Sequence, residues 1–303
     1  MSAQRFDPGI LLPTTVVGSF PAVKGSGLGT LLDPYKHAVR FAVAEQIRAG
    51  VDIISDGQVR EGMVKAFTGK LPGIRDDTVI SHVGAASGGI TVSDTQYALT
   101  QTKRVKGILT GPSSIAHALR IATPGYRNRN ELILDLARAL AFEGRALADA
   151  GVSMIQIDEP ILSTGVADLN TAAEAIMIIA ETVPLPVCLH VCGPLETIID
   201  PLLRLPIAIL DIEAATQPEN LEIFSGRDLH GKMVGCGCVA SSDHEVESVD
   251  LIKKRIEACI DLFSPETILI DPDCGLRMHT PEGAFAKLSR MCEAVRLVRG
   301  EYQ

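Results

Sequence analysis

Short apolar runs alternate with longer amphipathic stretches along most of this chain. Several of the runs are rich in Val and Ile and lack polar alternation, which is typical of parallel strands covered on both faces. The pattern predicts eight strands, at Thr14–Phe20, Val51–Ser55, Val105–Thr110, Met154–Ile157, Pro186–Val191, Ile207–Ile212, Met233–Val239 and Thr267–Ile270.

Helical periodicity fills the segments between these strands. Pro281 suits the first turn of a helix, with Thr280 as its N-cap. Gly50 and Gly151 suit the C-terminal stops of two others. The clearest helices are predicted at Tyr35–Ala49, Glu131–Ala150, Leu169–Thr182, Val246–Leu262 and Pro281–Val298.

Eightfold alternation of strand and helix predicts an α/β fold, the closed (β/α)8 or TIM barrel, as one domain over residues 1–303. An open doubly wound sheet is the alternative, although no G-x-G-x-x-G follows the first strand. Residues 76–104 interrupt the rhythm with Gly, Ser, Thr and alternating apolar positions. We interpret this segment as a hairpin or flap inserted in the second βα loop.

Composition narrows the classes of function. Aromatic residues make up 4% of the chain and Trp is absent, so aliphatic side chains must fill the core. A net charge of −9 argues against general binding of nucleic acid. The chain has no apolar signal region at its start and no run of about 18 apolar residues, so we expect no membrane segment and a cytoplasmic location. Seven Cys then indicate thiols or metal ligands.

Reactive residue types gather where the later strands end, which is where barrels carry their active sites. His190 and Cys192 are two positions apart, so an extended strand directs both side chains the same way. Glu213 ends the sixth strand, and Cys274 follows the eighth. One imidazole, two thiols and one carboxylate could share a metal ion there.

Zinc is the metal that this donor set favours. A thiol bound to zinc loses its proton near neutral pH, whereas a free thiol has a pKa of about 8.5. The site thus predicts activation of a substrate thiol. Cys236 and Cys238, also at a strand end, form a rival metal site.

Several motifs resemble the C-terminal catalytic domain of cobalamin-independent methionine synthase. They are Thr15-Val16-Val17-Gly18-Ser19-Phe20-Pro21, Asp56-Gly57-Gln58-Val59-Arg60-Glu61-Gly62-Met63-Val64, Ile155-Gln156-Ile157-Asp158-Glu159-Pro160, and the set His190, Cys192, Glu213 and Cys274. The chain is most similar to the short form of the family, which lacks the N-terminal barrel. The resemblance implies a methyltransferase that methylates homocysteine to methionine, with zinc held by that set of four.

The resemblance also implies the residues that hold the amino acid. Backbone N–H groups of Val17, Gly18 and Ser19, with the Ser19 hydroxyl, would bind the carboxylate, and Asp158 would bind the ammonium. Gln58 stands where the longer enzymes carry Glu, so it offers a hydrogen bond without charge.

The methyl donor is where the sequence departs from the long enzymes. They bind methyl-tetrahydrofolate with a Trp and a Glu after the D-E-P motif, whereas this chain has Ser163 and Thr164 there and no Trp. The family's proton-donating His aligns with Ser242, which leaves His244 as the candidate. A Co(I) corrinoid leaves without protonation, so we expect methylcobalamin or a methylated corrinoid protein as donor.

Other functions stay open at this stage. A related zinc enzyme could alkylate another thiol such as coenzyme M. A uroporphyrinogen decarboxylase relative would need basic residues for several carboxylates, whereas these strand ends are rich in Cys and Glu. A zinc barrel without catalysis would keep its metal closed to any thiol.

Overall fold

The computed structural model describes residues 4–25 and 33–302. Its strands are β1 (Ile74–Arg75), β2 (Thr78–Val79), β3 (Lys106–Thr110), β4 (Arg120–Ile121), β5 (Met154–Asp158), β6 (Val187–Val191), β7 (Ile209–Glu213), β8 (Met233–Val239) and β9 (Ile268–Pro272). Its α-helices are Lys36–Ala49, Lys65–Thr68, Val92–Gln101, Pro112–Ala118, Arg129–Ala150, Leu169–Thr182, Ile199–Leu203, Glu219–Glu222, Val249–Leu262 and Pro281–Glu301, with 3-10 turns at Pro160–Thr164 and Pro265–Thr267.

The strands close into a barrel. Six parallel strands run side by side in the order β3-β5-β6-β7-β8-β9. Two short segments complete the ring, because Thr14 pairs with Ile270, Thr15 with Ile53, and Ile54 with Val105, all in parallel. Both edges of the six-stranded sheet are therefore joined, which confirms the (β/α)8 prediction and excludes the open sheet.

Apolar side chains pack in two separate cores, one outside the ring of strands and one inside it. The larger core lies between the strands and the surrounding helices. A smaller cluster lies inside the ring and holds Phe6, Ile53, Met154, Cys188, Ala208, Ile209, Met233 and Leu269. Since Met154, Ile209 and Met233 are the first residues of their strands, this cluster lies towards the amino ends, and polar groups that enter the interior gather towards the carboxyl ends.

The predicted helix ends are confirmed at several positions. The Thr280 hydroxyl accepts a hydrogen bond of 3.1 Å from the Gly283 N–H, an N-cap that contributes about 1 kcal/mol. Gly50 and Gly151 end their helices with φ of 89° and 102°, a left-handed conformation that glycine adopts without strain. No helix among residues 4–25 and 33–302 has both the length and the apolar character needed to cross a membrane.

The insertion between the second and third barrel strands differs from its prediction in detail. The hairpin is present, but it is short: β1 and β2 pair antiparallel over two residues each. Most of the remaining segment leads into a helix, Val92–Gln101, which the alternating pattern did not predict. Glu143 on a neighbouring helix accepts hydrogen bonds of 2.7 Å from the Ile90 and Thr91 N–H groups. A tertiary contact therefore fixes the start of this helix.

Candidate metal centre and active site

A His-Cys-Cys cluster lies at the carboxyl ends of two barrel strands. His190 Nε2 is 2.9 Å from Cys192 Sγ, and Cys192 Sγ is 3.6 Å from Cys274 Sγ. The three potential ligand atoms all lie within 4.8 Å of one another. Strand β6 carries His190 and leads into Cys192, while Cys274 follows β9, so the barrel brings together residues that are 82 positions apart.

Asp211 fixes the orientation of the histidine. Its Oδ2 lies 3.0 Å from His190 Nδ1, and both side chains are buried. This contact follows from the register of the sheet, which pairs His190 on β6 with Asp211 on β7. With Nδ1–H donated to Asp211, Nε2 is left to act as a ligand towards the cysteines. Asp211 lies inside the predicted strand Ile207–Ile212, and the sequence pattern gave it no role of its own.

The cluster stabilises negative charge on sulfur. The hydrogen bond from the Cys192 thiol, with help from His190, lowers the pKa of Cys274 to about 4 in spite of burial. Burial opposes a charged imidazole, but Cys192 and Asp211 outweigh it and raise the pKa of His190 well above its ordinary value. The partly buried pair of thiols therefore carries a thiolate, and a metal cation would take the place of the proton on His190 Nε2 beside it.

Glu213 lies outside this tight group. The ligand atoms that lie within 4.8 Å of one another belong to the three residues above, and Glu213 Oε2 instead accepts a 2.8 Å hydrogen bond from the Gly193 N–H. Asp273 and Glu159 make the same kind of contact, because Asp273 accepts backbone N–H groups of the loop after β7 and Glu159 accepts those at the start of the helix Pro112–Ala118. Three of the four predicted ligands thus come together, and the fourth holds the loop beside them.

The prediction of a rival metal site at Cys236 and Cys238 is wrong. Gly235 faces the barrel interior, because a Cβ placed there would lie 2.7 Å from an Asp211 carboxylate oxygen. The alternation along β8 turns the two cysteines outward. There they are fully buried in the outer core with Cys259 of the helix Val249–Leu262. Their role in this fold is packing.

A cavity of about 270 Å³ opens beside the cluster. It contains six of the polar or cluster residues predicted from sequence, together with a rim that sequence reasoning did not identify. Its lining is Val17, Ser19, Gln58, Gly62, Met63, Asp158, Pro160, His190, Cys192, Cys274, Gly275, Arg277 and Met278. Arg277 and Met278 lie three and four positions after Cys274, so their closeness to this strand end was the one signal that could have identified them.

The segment 17–19 presents backbone donors at this cavity. Its three carbonyls accept hydrogen bonds from Gln156 Nε2, Ser55 Oγ and Leu276 N–H at 2.6, 3.1 and 2.8 Å. Within the part of the chain that the structure describes, the N–H groups of residues 17–19 make no hydrogen bond. Unpaired N–H groups at a bend form a site for an anion.

Asp158 and Gln58 supply the acceptors of the cavity. Asp158 is 5% exposed, and its Oδ1 accepts a 2.6 Å hydrogen bond from Gln156 Nε2. Burial raises the pKa of Asp158 to about 6. Gln58 has a φ of 43°, and its Oε1 lies so close to Gly18 that a Cβ on that glycine would be 2.6 Å away. Gly18 therefore gives Gln58 room.

His244 is not at the cavity. It is exposed on the loop before the helix Val249–Leu262, and its ring packs against His279 with 5.1 Å between centroids. Within the part of the chain that the structure describes, His244 is not among the residues that line the cavity. The structure therefore does not support His244 as a proton donor. The sequence position suggested this residue, but it could not show which way the loop turns.

This protein is a parallel (β/α)8 barrel with metal-ligating side chains and a polar cavity at the carboxyl ends of its strands. These features define the class of barrel enzymes.

The family model described as "Cobalamin-independent synthase, Catalytic domain" matches residues 12–297. A methionine synthase of Methanothermobacter marburgensis is 42% identical over 306 residues, with 93% of this chain and 98% of that protein covered. One of Methanocaldococcus jannaschii is 41% identical, with 94% and 99% covered.

The chain belongs to the cobalamin-independent methionine synthase family, which confirms the resemblance and the prediction of a methyltransferase. A solved structure of a B12-independent methionine synthase from Shewanella sp. W3-18-1, in complex with selenomethionine, has the same fold with a TM-score of 0.84. It is 21% identical, covering 97% of this chain and 99% of that chain.

Proposed function

We propose that this protein is a zinc-dependent methyltransferase that converts homocysteine to methionine. The observation that carries the proposal is the placement of a His-Cys-Cys cluster, a set of free backbone donors and a buried carboxylate around one cavity. The named relatives are methionine synthases, which supports the same substrate.

The donor set suits zinc. Bond lengths of about 2.3 Å to sulfur and 2.0–2.1 Å to nitrogen place two donors of one tetrahedral ion roughly 3.5–3.8 Å apart. The distance of 3.6 Å between the two sulfurs matches this spacing, and the 2.9 Å between His190 Nε2 and Cys192 Sγ needs a small adjustment. When bound, zinc lowers the pKa of a thiol so that it is deprotonated near neutral pH. Glu213 is the proposed fourth ligand, because its half-buried carboxylate accepts a hydrogen bond from Gly193, the residue that follows Cys192.

The cavity orients an amino acid with its thiol towards the cluster. The N–H groups of residues 17–19 would bind the carboxylate, and Asp158 with Gln58 would bind the ammonium. The thiol loses its proton, a new bond forms between its sulfur and the methyl carbon, and the bond from that carbon to the donor breaks. Coenzyme M has no ammonium group, so Asp158 favours homocysteine over that alternative.

Weaker metal retention is expected in an Asp211→Asn variant. The amide has the shape of the carboxylate, but it lacks the charge that strengthens the hydrogen bond from His190 Nδ1–H. Loss of such a partner typically weakens zinc binding about 10–100-fold. Titration against a chromogenic chelator measures the affinity. Asp261→Asn, on the exposed side of an outer helix, is the matched control. Equal affinity in both variants would show that Asp211 does not orient the ligand.

A methylated corrinoid is the proposed methyl donor. A folate that gives up its methyl group leaves as an amine, which needs a proton. His244, the predicted proton donor, is not among the described residues that line the cavity. A Co(I) leaving group needs no proton. The family as a whole is described as cobalamin-independent, so the donor is tested by a direct comparison of corrinoid with folate.

The experiment offers homocysteine with methylcobalamin in one reaction and with methyl-tetrahydrofolate in another, using zinc-loaded protein. Methionine is quantified by mass spectrometry. We expect product with methylcobalamin and none with the folate. Product from the folate alone would overturn the corrinoid donor and keep the thiol acceptor. Absence of product from both, while coenzyme M is methylated, would overturn homocysteine as the acceptor.

A further inference from the structure

Lys106 is a buried cation inside the barrel. It begins strand β3, it is 1% exposed, and its Nζ donates a hydrogen bond to Gln156 Oε1 on the adjacent strand. Among residues 4–25 and 33–302 its Nζ has no other hydrogen-bond partner and no ion pair within 4 Å. Burial of a charge is costly unless other groups compensate it, so this placement calls for an explanation.

The bond from Lys106 determines which way the Gln156 amide faces. The Gln156 oxygen accepts from Lys106, so the NH2 group faces the other way and donates to Asp158 Oδ1 and to the Val17 carbonyl, both at 2.6 Å. A flipped amide would place its oxygen against a carboxylate and a carbonyl, and its NH2 group against an ammonium. All three contacts would then be repulsive, so Lys106 favours a single orientation.

The two groups held by Gln156 belong to residues that line the amino-acid cavity. Asp158 is the acceptor proposed for the substrate ammonium, and the Val17 carbonyl begins the segment whose N–H groups are proposed to bind the carboxylate. Oδ1 of Asp158 is already in use, so Oδ2 is left for a ligand. Burial raises the pKa of Asp158, and Lys106 is one of the groups that oppose that rise.

We propose that Lys106 is a positioning residue for amino-acid recognition, acting through the Gln156 amide to hold Asp158 in the orientation that receives the substrate ammonium. The proposal rests on the proposed function. It also predicts that the effect of Lys106 depends on the amino group of the thiol, which a purely structural role would not do.

The test compares homocysteine with 4-mercaptobutyrate, the same thiol acid without its amino group. We expect Lys106→Met to raise KM for homocysteine by about 10–100-fold, the range for losing a hydrogen bond to a charged group. The same variant should leave kcat for homocysteine and kcat/KM for 4-mercaptobutyrate within about twofold of the unmodified protein. Zinc content should not change, because Lys106 does not contact the cluster.

Gln156→Glu provides a second variant in case Lys106→Met does not fold. It keeps a partner for Lys106 but places an oxygen against Asp158, so we expect the same selective loss with homocysteine. Met154→Leu, on the next strand in register with Lys106, controls for altered packing. Equal losses with both thiols in either variant would overturn the positioning role. If the unmodified protein methylates neither thiol, the proposed function itself fails.

Discussion

Replacement of Cys274 by serine is expected to abolish zinc retention and turnover. The serine hydroxyl is a poor ligand for zinc because it stays protonated near neutral pH, so two donors would be left in the cluster. Loss of an outer-shell partner already costs about 10–100-fold in metal affinity, and loss of a direct ligand should exceed that. His190→Ala should behave in the same way. Zinc is quantified by atomic emission after dialysis, and methionine formation is assayed on the same sample.

Cys259→Ala serves as the control for this prediction. Cys259 lies in the outer core on the helix Val249–Leu262, so its loss should lower stability slightly and leave the metal in place. Far-UV circular dichroism of each variant checks that the barrel is folded. Full zinc occupancy in a folded Cys274→Ser protein would show that the cluster is not the metal site.

Asp158→Asn is expected to weaken homocysteine and methionine binding by about 100-fold. The amide still accepts the hydrogen bond from Gln156, so the barrel should fold, but the charge that balances the ammonium is gone. A charge-assisted hydrogen bond is worth roughly 1.5–3 kcal/mol, and its loss accounts for a decrease in affinity of this size. Methionine binding, measured by calorimetry, isolates recognition from methyl transfer.

The same carboxylate predicts a pH dependence. The pKa of Asp158 is raised to about 6, so the carboxylate is ionised above that value and becomes neutral as the pH falls through it. Methionine affinity should therefore be high at neutral pH and decline below pH 6. Asp158→Asn should remove the decline, whereas exposed Asp149→Asn should preserve it. An unchanged profile in Asp158→Asn would show that another group binds the ammonium.

Periodicity predicted the barrel well, because its later strands are continuous apolar runs flanked by long helices. Met233–Val239 and Leu169–Thr182 have the predicted bounds. The first strand is shorter than the predicted Thr14–Phe20, because the backbone of residues 17–19 bonds to side chains and loops and not to a neighbouring strand. The helix Val92–Gln101 escaped prediction because its start depends on Glu143, which is remote in sequence.

The site was predictable where chemistry and local spacing coincide. The i, i+2 spacing of His190 and Cys192 directs both side chains to one side, and Cys274 follows another strand end. The supporting residues depend on sheet register, which no local pattern contains. Asp211 reaches His190 because β6 and β7 pair at those positions, and Lys106 reaches Gln156 from the neighbouring strand. Cytoplasmic location and the 1–303 domain boundary stay predictions.

X-ray absorption at the zinc edge tests the central claim most directly, because it counts the atoms around the metal. The account predicts two sulfur ligands at about 2.3 Å with nitrogen or oxygen ligands at about 2.0–2.2 Å, and a third sulfur when homocysteine is added. A zinc environment without sulfur would contradict the account, and so would a sulfur count that homocysteine does not change.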